Sequence, residues 1–268
     1  FEPRPGQSIC VLIDLENPRD VKDLAFLNDP DLSIQRNAVS AIYEPLQQGV
    51  LEELHLTGGD LFAFQITGGS NLDLPDEAFT PDGKQVSLAH DVYPHYDIVL
   101  CITTFSATAP LTAFAKKYNF RGATLHGLNQ IILNSGLTVD YTQVSADAEK
   151  LRLGMTKADW VEIDFLHAGY THTLHLDLGR QEAQKSHGLC LGDEPDVANL
   201  PAGEIYYVPT GAHGQFPMKY EDGTIGLMHV ANCRITKAVL LSGNPDTVIA
   251  HNEKLVSDPV TGELGELG

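Results

Sequence analysis

Near its start the chain carries an apolar run, Ile9-Cys10-Val11-Leu12-Ile13, that no polar residue interrupts. A half-exposed strand alternates apolar and polar side chains, so an unbroken run predicts a strand covered on both faces, as in a parallel sheet. Over residues 32–54 the apolar positions Ile34, Ala38, Ala41, Ile42, Leu46, Val50 and Leu51 fall at helical spacing. Asp31 or Ser33 is placed to cap that helix, and Pro45 to kink or divide it. Gly58-Gly59 marks a turn, and residues 61–67 read as a second strand. Residues 68–84 are rich in Gly, Pro, Asp and Asn and read as loop. Residues 97–103 predict a third strand, 106–118 a helix, 122–125 a fourth strand, and 129–133 the start of another helix. Residues 146–153 predict a further helix, with Lys150 and Arg152 near its end, where cations complement the helix dipole. Strands separated by helices imply right-handed βαβ winding of a mainly parallel sheet.

After about residue 158 the rhythm changes. Residues 160–164 and 171–178 alternate, and short strand-like stretches follow at 204–208, 224–230, 234–241 and 247–249. Turn residues separate them and helix signal is sparse, which predicts a β-rich region. The fold class read from the pattern is therefore α/β: a mainly parallel N-terminal domain over residues 1–158, then a β-rich C-terminal domain over 159–268.

Composition adds little to this picture, but charge changes it. With 36 acidic against 17 basic residues the formal net charge is −19. Such a surface repels phosphate backbones and anionic membranes, so neither nucleic acid nor membrane is an expected partner. It suits solubility, and equally it attracts cations: metal ions or amine-bearing substrates such as peptide N-termini. No stretch reaches the ~20 apolar residues that cross a bilayer, and no charged leader followed by an apolar segment begins the chain. Cys10, Cys101, Cys190 and Cys233 lie far apart without a C-x-x-C pair, which predicts a reduced, cytoplasmic protein.

Histidine is the first candidate for chemistry. His167, His172 and His175 cluster in sequence, but on a strand His172 and His175 point to opposite faces and cannot share a metal. His213 and His229 stand alone, and a structural role is the simpler reading of each. The chain has no G-x-S-x-G elbow, no phosphate-binding glycine loop and no H-E-x-x-H helix. Two carboxylates remain: Glu204 in Gly203-Glu204-Ile205-Tyr206-Tyr207, and Glu266 in Leu264-Gly265-Glu266-Leu267-Gly268. Each sits beside glycine and apolar neighbours, a setting that presents a carboxylate to a divalent ion or simply to water.

Around these residues the sequence resembles a known family. Asn199-Leu200-Pro201-Ala202-Gly203-Glu204-Ile205-Tyr206-Tyr207-Val208-Pro209, then Gly223-Thr224-Ile225, then Leu264-Gly265-Glu266-Leu267-Gly268 resemble the run of the thermophilic-type metalloaminopeptidases (aminopeptidase T/S-like, leucyl aminopeptidase-like). Gly154-Met155-Thr156 and Leu176-Asp177-Leu178-Gly179-Arg180 also match. The resemblance covers residues 95–268 in fair detail. It implies a metallopeptidase, a hydrolase with two zinc or cobalt ions, a peptide substrate and a homodimer, with Glu204 and Glu266 as metal ligands. The family's remaining ligands, a His and then a His-x-Asp pair, follow the segment matched by residues 264–268, with which this sequence ends. A sister branch of the same fold, the mononuclear-iron dioxygenases that open dihydroxypyridine rings, has a His where Glu266 stands and an apolar residue where Glu204 stands. The sequence therefore leads to an aminopeptidase-like enzyme as the first expectation. The alternatives are a one-iron ring-cleaving dioxygenase, or a non-catalytic relative that binds a small molecule.

Overall fold

The computed structural model describes residues 1–258 and 260–268. The chain begins with β1 (Ser8–Leu15) and a 3-10 segment, then enters α1 (Ser33–Ala38). The helix continues through π-type turns at Val39–Tyr43 and Leu46–Val50 into α2 (Leu51–Glu53). Pro45 keeps helical angles (φ −59°, ψ −37°), and the break falls instead at Gly49 (φ +139°). Proline cannot donate to the preceding turn, and the wide turn just before it relieves that demand. No side chain caps this helix: Leu32 occupies the capping position, not Asp31 or Ser33.

Next come β2 (Thr57–Gln65), β3 (Glu77–Phe79), β4 (Gln85–Ser87), β5 (Ile98–Ile102), α3 (Thr108–Tyr118), β6 (Arg121–Thr124), α4 (Gln130–Asn134) and α5 (Tyr141–Met155). The hairpin of β3 and β4 occupies ground that the sequence pattern assigns mostly to loop. Its strands are too short to carry a periodic signal. Asn129 caps α4 by accepting from the amides of Ile131 and Ile132. The chain continues through β7 (Trp160–His167), β8 (Tyr170–Asp177), β9 (Gln184–Ser186), β10 (Val197–Asn199), β11 (Glu204–Tyr206), β12 (Gly211–Lys219), β13 (Ile225–Ala231), β14 (Arg234–Ser242) and α6 (Pro245–Ser257).

Two compact units result: Phe1–Ala146 with Ser186–Gly203, and Asp147–Lys185 with Glu204–Gly268. The first holds a seven-stranded sheet in the order β10-β6-β5-β1-β2-β3-β4. Its pairs from β10 to β2 are parallel, and β3 and β4 are added antiparallel. Ile9, Val11 and Ile13 pack on one face with Phe26, Val39 and Leu46. Cys10 and Leu12 pack on the other with Val92, Tyr93, Leu111 and Phe120. Burial on both faces is why the β1 sequence shows no alternation.

The second unit holds a five-stranded antiparallel sheet in the order β14-β13-β12-β8-β7. Val161, Ile163, Phe165, Leu174, Leu176 and Ala212 pack together on its inner face. α6 lies against it through Val248, which packs with Met228 and Ala238. Residues 247–249, which read as a strand in sequence, are part of this helix. Asn244 caps it by accepting from the Asp246 amide and Pro245 opens its first turn, signals that override three β-formers in a row. Strand β12 escapes sequence detection because Gly211, Gly214 and Pro217 interrupt its pattern. The mixed α/β architecture, with a parallel-rich sheet and a β-rich C-terminal part, agrees with the sequence pattern. Among the described residues no helix is long and apolar enough to cross a membrane.

Candidate functional site

In the first unit, strand order reverses at β1, which has β2 on one side and β5 on the other. Ligands of open α/β sheets lie outside the carboxyl ends of the strands at such a point. There Asp14, only 2% exposed, accepts from Gln35 Nε2 at 2.7 Å, from the Thr104 amide at 2.9 Å and from the Thr104 hydroxyl at 3.2 Å. Burial raises its pKa, and the hydrogen bonds from Thr104 and Gln35 oppose that rise. The carboxylate is fully occupied in tying β1 to the helix and to the loop after β5, so its role is structural. A cavity of about 530 Å³ opens at the carboxyl end of β1, lined by residues that include Leu15, Glu16, Asp20, Phe26 and Asp29.

In the second unit, alternation along β7 and β8 turns Trp160, Glu162, Thr173, His175 and Asp177 away from the packed face. Register then builds a row. Glu162 lies opposite His175, and His175 lies opposite His213 of β12. The Trp160 and His175 rings stack with centroids 5.3 Å apart and planes at 22°. The His175 and His213 rings follow at 4.8 Å and 34°. His175 Nδ1 stands 3.7 Å from the Glu162 carboxylate, an ion pair whenever the imidazole is protonated. Two hollows of about 530 and 520 Å³ flank the row and share His175 and Asp177. One is walled by Asp159, Trp160 and Arg180, the other by Thr210, His213 and Cys233. Arg180 Nε is held by Asp159 at 2.9 Å, which leaves Glu162 and Asp177 to set a negative field along the row.

The row depends on β12 approaching β8 closely. At Gly214 (φ +123°) an added Cβ would fall 2.2 Å from the Thr173 carbonyl oxygen. Only glycine fits there, and its fit lets His213 face His175.

The other sequence candidates scatter. His172 opposes Phe165 and turns inward, as alternation requires, away from His175. His229 pairs with Gln215 at 3.2 Å. Glu204 opens β11 and is exposed, as is Glu266. Tyr207 and Leu267 join their two segments through reciprocal amide–carbonyl bonds of 2.9 and 2.8 Å. That register sets Glu266 opposite Val208, four residues from Glu204, or roughly 13 Å of extended backbone. Among the described residues no three His, Cys, Asp or Glu side chains are placed to hold a metal ion. The described residues alone therefore supply no complete ligand set for two zinc or cobalt ions, which in such centres lie about 3.5–4 Å apart, or for one iron.

No family model matches the chain, and no curated protein matches it. Among solved structures it is similar to the 2,5-dihydroxypyridine dioxygenase of Pseudomonas putida KT2440, with 16% identity and a TM-score of 0.55. The match covers 96% of this chain and 69% of that one. This likeness is one of fold, and it corrects the first expectation from sequence. The fold is shared with a dioxygenase, an oxidoreductase, so the aminopeptidase, metallopeptidase and hydrolase assignments are withdrawn. The Glu204 carboxylate lies against the backbone of Gly268, and among the described residues no group of three donors forms around it.

Proposed function

We propose that the protein is a ring-cleaving oxidoreductase that inserts both atoms of O₂ into an aromatic diol of the dihydroxypyridine kind. The observation that supports this reading is the likeness of fold over nearly the whole chain to a 2,5-dihydroxypyridine dioxygenase. One iron ion is the cofactor that goes with the reading. Because the described residues do not assemble a ligand set for it, no step is assigned through the metal.

The test is oxygen uptake by the full-length protein after anaerobic loading with ferrous iron, with 2,5-dihydroxypyridine as substrate. The expected result is uptake matched by a product heavier than the substrate by two oxygen atoms. Absence of both, with iron retained by the protein, overturns the reading.

A further inference from the structure

The row on the second unit's open sheet face has the makings of a binding platform. Trp160 is the only tryptophan in the sequence, and its side chain is 54% exposed although it begins a strand of a well-packed sheet. Leaving so much indole in water forgoes burial that most tryptophans obtain. It is nevertheless held in place by its stack on His175, which is itself backed by His213. Three rings thus form a continuous strip across β7, β8 and β12, with hollows on both sides large enough for a six-membered ring.

Electrostatics selects among rings. Glu162 and Asp177 lie along the strip, and the nearby cation Arg180 is engaged by Asp159. The face of an indole is itself electron-rich and draws cations. An anionic ring would meet carboxylates on this surface, whereas a positively charged planar ring satisfies both the π-face and the carboxylates.

We propose that the hollows around Trp160, His175 and His213 form a binding site for a planar cationic heteroaromatic ring, taken up by stacking and held by Asp177 and Glu162. The proposal goes beyond the ring-opening reading and does not depend on it, because binding here requires neither oxygen nor metal.

Since Trp160 is the sole tryptophan, indole emission reports this site alone. Metal-free full-length protein is titrated with 4-aminopyridine, which is protonated at neutral pH, and in parallel with benzoate. The expected result is a saturable change in emission with 4-aminopyridine and no saturation with benzoate. His213→Ala should weaken the interaction roughly three- to tenfold, the worth of one ring-on-ring contact. His213→Phe, which restores a ring without the imidazole, should recover most of the affinity. Asp177→Asn should weaken 4-aminopyridine but not a neutral ring such as toluene. Unsaturable quenching common to both probes, or equal affinity in His213→Ala and His213→Phe proteins of unchanged secondary structure, overturns the proposal. A failed oxygen-uptake assay together with saturable binding would remove the ring-opening reading and leave this site standing.

Discussion

The two sheets of this protein solve opposite problems. The seven-stranded sheet buries both faces, so each residue of β1 from Ile9 to Leu15 is buried. The five-stranded sheet buries one face and leaves the other to polar and aromatic side chains. What the first gains in core it loses in surface on which chemistry can be built. Its buried carboxylate, Asp14, is consumed by three hydrogen-bonding groups. The second sheet has a smaller core but displays Trp160, Glu162, His175 and His213 on a rigid backbone. Rigid strands position such groups more accurately than loops do.

The largest expected effect breaks the comparison if it is wrong. Leu12→Ala, in the centre of β1, should destabilise by about 2–5 kcal/mol through lost burial and a residual cavity. Thr173→Ala on the open face loses an exposed hydrogen bond to Asp164 and should cost about 1 kcal/mol or less. Urea unfolding of both variants measures the contrast, and equal costs would refute the assignment of the two faces. Next in size, Gly214→Ala should cost about 1–3 kcal/mol or more, because the left-handed backbone angle and the Thr173 carbonyl both oppose a side chain. It should also shift Trp160 emission by moving His213 off His175. Unchanged emission in a folded variant would mean that β12 does not hold the row.

Asp14 sharpens the contrast through pH. Its folded-state pKa is raised, chiefly by burial. In the window above the ordinary carboxylate value the folded protein therefore keeps a proton that the unfolded chain has released. Stability accordingly falls as pH climbs from that ordinary value through the folded one. Asp14→Asn should flatten this stretch of the stability curve, and an unaltered slope would show that Asp14 is not its source. The smallest effect concerns Glu149, which Arg152 grips with two hydrogen bonds of 2.9 and 2.6 Å and Lys185 with one of 2.8 Å. The hydrogen bonds from Arg152 and Lys185 hold its carboxyl at about 2. Here the sign reverses: the contribution is present above the ordinary carboxylate range and disappears as pH falls toward about 2. Melting temperatures of wild type and Glu149→Gln should differ slightly at pH 6, because exposed pairs are screened, and converge at the acid end. A gap that persists there would contradict this pairing.

Much of the fold was legible because its signals are local. The unbroken run at Ile9–Ile13 declared a doubly covered strand, and Asn129 announced a helix start that the structure keeps. Residues 247–249 misled because three β-formers outweighed, on paper, a capping Asn244 and a Pro245 that the backbone obeys. The face containing the row was half legible. Alternation separated His172 from His175, but nothing local joins His175 to His213, which belongs to a strand broken by two glycines and a proline. Pairing across strands is decided by register, and register is a property of the assembled sheet. Glu204 and Glu266 stood out for the contrary reason, their glycine and apolar neighbours in sequence, while the placement of the Glu204 carboxylate against the Gly268 backbone is again a matter of strand register.

The order in which the first sheet is completed has a consequence for synthesis. Its edge strand β10 pairs in parallel with β6, Val197 beside Gly122, yet between them the chain leaves to lay down β7 and β8. A nascent chain emerging from the ribosome must therefore carry β6 as an uncovered edge while residues 147–196 are translated. At typical rates of translation that interval lasts on the order of seconds, far longer than a hairpin takes to form. During it, β6 offers a strand-shaped vacancy to any passing segment. Between the making of β6 and the making of β10 that edge is open to mispairing, and a chaperone that shields one sheet edge would serve the chain in that interval.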